Sequence, residues 1–261
     1  MTENEIEDRL AAGCEILREA GRTALDFYRR RDHLTIERKG RQDLVSRADR
    51  EVESLIRARL AARFPQDEVI GEEQGGRSGP RVWITDPIDG TANFLRGIPY
   101  WSMTLAFVLE GRPRIGLTYD PLHEELFTAM TGRGAHRNGR RIRVSQAQRP
   151  EEACVGLSFS FRTPVAEYTA VLARLLEAGF DHRRMGSAAL SLAHLADGRL
   201  DATFTLRTHS WDVLSGLLLV REAGGRATDF PGDLLESASA AAATPGIAVE
   251  IAALTGIPLP A

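Results

Sequence analysis

Asp86-Pro87-Ile88-Asp89-Gly90-Thr91, which opens the run DPIDGTANF at 86–94, is the stretch on which the reading of this chain turns. Arg81-Val82-Trp83-Ile84-Thr85 before it reads as a short apolar strand, so Asp86 stands at a strand end. Pro87 bars its predecessor from the helical region and keeps Asp86 extended. Gly90 permits a tight turn, and Thr91 is a favourable N-cap for a short helix through Asn93 and Phe94. Two carboxylates therefore lie three residues apart on a strand-to-helix turn, beside free backbone N–H groups. Carboxylate and carbonyl oxygens are the hard ligands magnesium prefers, and a helix N-terminus is a seat for phosphate. Both at one turn would suit metal-assisted attack on a phosphate ester. Taken alone, D-P-x-D-G is equally the composition of an ordinary turn.

Three further stretches decide between these readings: Asp43-Leu44-Val45-Ser46-Arg47-Ala48-Asp49, Gly71-Glu72-Glu73 and Trp211-Asp212. With DPIDGT they resemble the inositol monophosphatase family of magnesium-dependent, lithium-sensitive phosphatases, over about Lys39 to Gly225. The resemblance implies an α/β (α+β) fold with layered αβαβα architecture. Residues 1–148 would form an antiparallel sheet with two long helices and carry most metal ligands. Residues 149–261 would form a mixed α/β layer supplying Asp212 and substrate contacts, with the site in the cleft between.

The same resemblance implies residue roles. Glu72, Asp86 and the Ile88 carbonyl would hold a first magnesium; Asp86, Asp89 and Asp212 would hold a second. A third, weaker ion is expected near Glu72, giving two to three per site. Thr91 with Asp49 would orient the attacking water beside Glu72, and the Gly90 and Thr91 N–H groups would bind phosphate oxygens. Lys39 would lie in a mobile loop approaching the site. The substrate would be a small alcohol phosphate such as inositol 1-phosphate, or else histidinol phosphate, a sugar phosphate or a nucleotide 3′-phosphate. A catalytically silent regulator on the same fold is the alternative from another class. Inositol-specific members carry a glutamate seven residues before the aspartate of Trp-Asp, where this chain has Thr205; Arg207 nearby offers a positive group instead. A homodimer is usual in the family.

Composition narrows the classes. With 261 residues, 43% hydrophobic and 26% charged, the chain suits a globular fold with a sizeable core. A net charge of −3 argues against nucleic acid or an anionic membrane as partner. No apolar run approaches the length of a membrane-spanning helix, and the N-terminus MTENEIEDRL is acidic and unlike a conventional signal peptide. Cys14 and Cys154 form no C-x-x-C motif, which suits a reduced cytoplasmic protein.

Along the chain, apolar residues at Ile6, Leu10, Cys14, Leu17, Leu25 and Tyr28 predict an amphipathic helix over 4–30. Residues 31–42 read as a basic, irregular loop. Ser46-x-x-Asp49 fits a capping box opening a second helix. Residues 102–109 and 114–119 read as a hairpin, followed by strands at 123–129 and 141–145. After 146–150 the pattern alternates: strand 153–159, helix 164–178, strand 180–185, helix 187–197, strand 200–205, helix 212–224. This predicts an α/β layer with a parallel component. Gly186-Ser187-Ala188 opens a helix directly after a strand, so its N–H groups are candidates for a ligand. The stretch SASAAAATPG reads as a small-residue loop before a last helix.

Overall fold

Ile6, Leu17, Ala20 and Ala24 fall on one helical stripe and are buried, and the capping box of Thr2 with Glu5 opens the helix they share. The structure, a computed structural model, describes residues 1–33, 36–40, 43–160, 162–231 and 233–260. In chain order the N-terminal part comprises α1 (Glu3–Arg29), β1 (Ile36–Gly40), β2 (Asp43–Ser46), α2 (Arg47–Arg63), β3 (Glu68–Gly71), β4 (Arg81–Thr85) and α3 (Thr91–Arg96). There follow β5 (Met103–Leu109), β6 (Arg112–Asp120), β7 (Glu125–Met130), β8 (Gly134–Arg137) and β9 (Arg140–Arg141). The rest holds β10 (Cys154–Ser158), α4 (Val165–Glu177), β11 (Asp181–Arg183), α5 (Ala188–Ala196), β12 (Ala202–Thr208) and α6 (Ser210–Glu222). It closes with β13 (Arg226–Ala227), β14 (Ala238–Ala243) and α7 (Ala248–Thr255).

These elements stack in five layers. α1 and α2 pack on one face of a sheet ordered β3-β4-β5-β6-β7-β8-β9, antiparallel except for the parallel pair β3/β4. α5 and α6 cover its other face and also meet the second sheet, ordered β11-β10-β12-β14-β13. There β10 runs parallel to both β11 and β12, while β14 is antiparallel to β12 and β13. α4 and α7 close the far side. Four apolar cores fill the gaps among the described residues, centred on Trp83 and Trp101, on Leu192 and Leu217, on Val155 and Ile251, and on Ile84 and Leu214. The layered α/β fold is the one expected from sequence.

The structure corrects four local expectations. Residues 36–40 are not irregular: β1 pairs with β2 in an antiparallel hairpin, which puts Lys39 on a strand, although its side chain lies outside the described residues. The strand expected over 141–145 is reduced to β9, because the chain then turns away and Val144 N–H donates to the Ala223 carbonyl behind α6. The run ASAAAA is a strand rather than a loop. Ala240 and Ala242 face the α5–α6 core and Ala241 and Ala243 the α4–α7 core, so small side chains let two helical layers approach one sheet. Alanine is a poor strand former alone, and burial between two ladders overrides that preference. Finally, Thr91 is the first helical residue of α3 and not its cap: Gly90 occupies the cap position in the left-handed conformation, φ 98°.

Candidate active site

The turn after β4 is held by hydrogen bonds of its own and of its neighbours. Asp86 Oδ1 accepts from the Ile88 N–H at 2.8 Å, and Asp86 N–H donates to Thr104 Oγ1 at 2.8 Å. The Thr104 hydroxyl in turn donates to the Trp211 carbonyl at 2.8 Å, tying the residue before Asp212 to the turn. Asp89 and Ser102 exchange both backbone hydrogen bonds. Gly90 is required where it stands: besides its positive φ, a Cβ there would lie 3.1 Å from the Gly186 carbonyl.

Asp89 meets the start of α5. Its carboxylate accepts from the Ser187 hydroxyl, from Ala189 N–H at 2.8 Å and from Ala188 N–H at 3.3 Å. The N–H groups after Gly186 and Ser187, candidates for a ligand, are thus donated in large part to this aspartate, a favourable partner for a helix N-terminus.

Asp49 divides its two oxygens between two duties. Oδ2 accepts from the Ser46 N–H (2.9 Å) and hydroxyl (2.7 Å), completing the capping box of α2, while Oδ1 lies 3.2 Å from Thr91 Oγ1. Thr91 Oγ1 is also 3.0 Å from the Ile88 carbonyl. Glu72 follows β3 on a turn braced by the fully buried Glu53, whose carboxylate accepts from the N–H groups of Glu73 (2.8 Å) and Gln74 (3.1 Å). Asp212, in the first turn of α6, accepts from Thr208 Oγ1 at 2.6 Å and His209 N–H at 3.1 Å.

Carboxylate oxygens of Glu72, Asp86 and Asp212 lie within 4.8 Å of one another. Burial and then the neighbouring charges of Glu72, Asp89 and Asp212 push the Asp86 carboxyl well above the usual range. Burial and the charge of Asp212 raise Asp89 to about 7, against the opposing pull of its three donors. Burial also raises Asp49, opposed by Ser46 and Thr91. Desolvated carboxylates crowded this closely need a compensating positive charge before all can ionise. The donor set is wholly oxygen, which fits a hard divalent cation such as magnesium.

Of the residues singled out from sequence, Glu72, Asp86 and Asp212 converge, with Ile88, Asp89, Gly90, Thr91, Asp49, Gly186, Ser187 and Ala188 around them. Thr205 lies lower in the fold. It is 6% exposed and lines a small internal void with Ser158, Ala188, Leu192 and Val213, and its hydroxyl donates to the Arg207 carbonyl at 3.4 Å. Sequence reasoning overlooked Glu53, Thr104 and Thr208. A glutamate on the apolar stripe of α2, beside Val52 and Ile56, was the one readable signal among them.

A sequence profile of the inositol monophosphatase family matches residues 5–256. The Nus factor SuhB of Pasteurella multocida is 37% identical over 241 residues, 90% of this chain and 90% of that protein. The solved structure of the extragenic suppressor protein suhB from Bartonella henselae has a TM-score of 0.90 at 32% identity, covering 96% of this chain and 99% of that one. The IMPase of Thermotoga maritima gives a TM-score of 0.86 at 33% identity, covering 95% and 97%.

Proposed function

Because this chain belongs to the inositol monophosphatase family, we propose that it is a magnesium-dependent phosphomonoesterase acting on a small alcohol phosphate, inositol 1-phosphate among them. The observation that carries the reading is the convergence of Glu72, Asp86 and Asp212 beside the Thr91–Asp49 pair. Glu72, Asp86 and Asp212, with Asp89 and the Ile88 carbonyl, would hold the two to three ions expected from the family. Magnesium bound there supplies Lewis-acid activation of water and neutralises charge on the phosphate. Asp49, raised by burial, is suited to take a proton through the Thr91 hydroxyl, and the Thr91 oxygen fixes the direction of attack. The N–H groups of Gly90 and Thr91, at the start of α3, would bind phosphate oxygens. Asp89, pinned to α5, keeps that helix against the turn.

The test is hydrolysis of inositol 1-phosphate and glycerol 2-phosphate with magnesium. Activity should vanish in chelator, and Thr91→Val should lower kcat by about a hundredfold or more. Full activity without divalent cation, or in Thr91→Val, would refute the reading. The name Nus factor borne by the Pasteurella multocida relative favours a second reading, a regulatory role on the same fold; absence of turnover on every ester in magnesium would favour it over the first. Lithium inhibition and a homodimer are expected on the family's pattern, and an inhibition curve and sedimentation check them.

A further inference from the structure

The three parallel strands β10, β11 and β12 open their carboxyl ends on one edge of the second sheet. In open α/β sheets this edge is where ligands settle. It adjoins the carboxylate cluster, because Ser187 after β11 donates to Asp89 and Thr208 at the end of β12 donates to Asp212. The same edge is rich in cationic side chains: Arg162 beyond β10, Arg183 and Arg184 at the end of β11, and Arg207 on β12. Arg183 is paired with Asp181, and Arg162 is bonded to His209 at 3.0 Å, which stacks on Trp211. Arg184 and Arg207 are exposed and form no ion pair among the described residues.

Arg207 is placed by an irregularity in β12. Pairing passes from Thr205 opposite Ala240 to Thr208 opposite Ala238, so Leu206 and Arg207 together face Ser239 alone. Such a bulge re-aims the side chain it carries, and bulges gather beside functional sites. Thr205 and Thr208 on either side are buried, whereas Arg207 stands in solvent one residue from the hydroxyl that holds Asp212. Below it the strand ends offer only the neutral hydroxyls of Ser158, Thr203 and Thr205 around the void against Ala188. Charge recognition at this edge therefore falls to guanidinium groups, whose planar donors suit phosphate and carboxylate.

We propose that Arg207, re-aimed by the bulge in β12 beside the hydroxyl that holds Asp212, forms a subsite for a second anionic group of the substrate. The favoured substrate is then a small phosphate ester that carries another phosphate or a carboxylate. This rests on the phosphatase reading above and specifies the substrate class of that site.

The experiment compares kcat/KM for glycerol 2-phosphate, fructose 1,6-bisphosphate and 3-phosphoglycerate in magnesium, for the wild type, Arg207→Gln and Arg207→Lys. The wild type should favour at least one doubly anionic ester by about tenfold, the scale of one charge-assisted hydrogen bond. The bisphosphate and 3-phosphoglycerate arms separate a second phosphate from a carboxylate. Arg207→Gln should remove most of the preference, Arg207→Lys should keep part of it, and added salt should erode it as screening requires. A ratio near one in the wild type, or a preference untouched by Arg207→Gln, overturns the subsite and leaves the phosphatase reading standing. No hydrolysis of any ester overturns both.

Discussion

Asp89 allows the electrostatics of the site to be read from stability alone. Its carboxyl is raised to about 7 in the fold, against an ordinary value of 3.8, chiefly by burial and by Asp212. The folded protein thus keeps a proton that the unfolded chain releases, so wild-type stability should fall as pH rises from about 4 to about 7. Asp89→Asn cannot titrate. Its amide accepts fewer of the bonds from Ser187, Ala188 and Ala189, which is a constant offset independent of pH. The informative quantity is therefore the change with pH of the difference between variant and wild type. From pH 5 to 7, two units correspond to about 3 kcal/mol in favour of the variant. At roughly 2–4 °C per kcal/mol for a chain of this size, the difference in Tm should move by about 6–12 °C. Melting followed by circular dichroism in chelator, from pH 5 to 8, measures it. In magnesium the advantage should disappear, and phosphatase activity of the variant should fall by about a hundredfold. Parallel melting curves for the two proteins across that range in chelator would refute the assignment of Asp89 as a buried carboxyl that keeps its proton.

Two further outcomes follow from the surrounding fold. His194 sits between Tyr100 and Phe127, with Arg199 lying 3.2 Å from Nε2, and burial followed by the Arg199 charge lowers it to about 4. Its contribution is complete above pH 6.5 and lost as pH falls toward 4, so His194→Gln should flatten the acid side of the stability profile by up to about 3 kcal/mol, read by melting in magnesium-free buffer; an unchanged acid slope would contradict this. Gly116 in β6 faces the backbone of α6, and an added Cβ would lie 2.5 Å from the Ser215 carbonyl oxygen. Gly116→Ala should therefore cost about 1–3 kcal/mol in chemical denaturation, and an unshifted midpoint would show that α6 is free to move off the first sheet.

Where the physics is local, the residues alone determined the outcome. The stripe of α1 and the Ser46–Asp49 capping box depend on neighbours within a turn or two, and both were readable without coordinates. So was the alternation of strands and helices after residue 150, because burial on both faces leaves an apolar period in the chain. The tertiary structure alone decided what depends on distant partners. ASAAAA becomes a strand because β12 and β13 supply ladders on both sides, and residues 36–40 become one because β2 folds back on them. Asp89 finds the donors of α5 as far as 100 residues away, and Thr104 reaches the Trp211 carbonyl across 107. Hydrogen bonds and charge repulsion of this kind leave no periodic trace along the chain, since each depends on a side chain brought near by packing elsewhere.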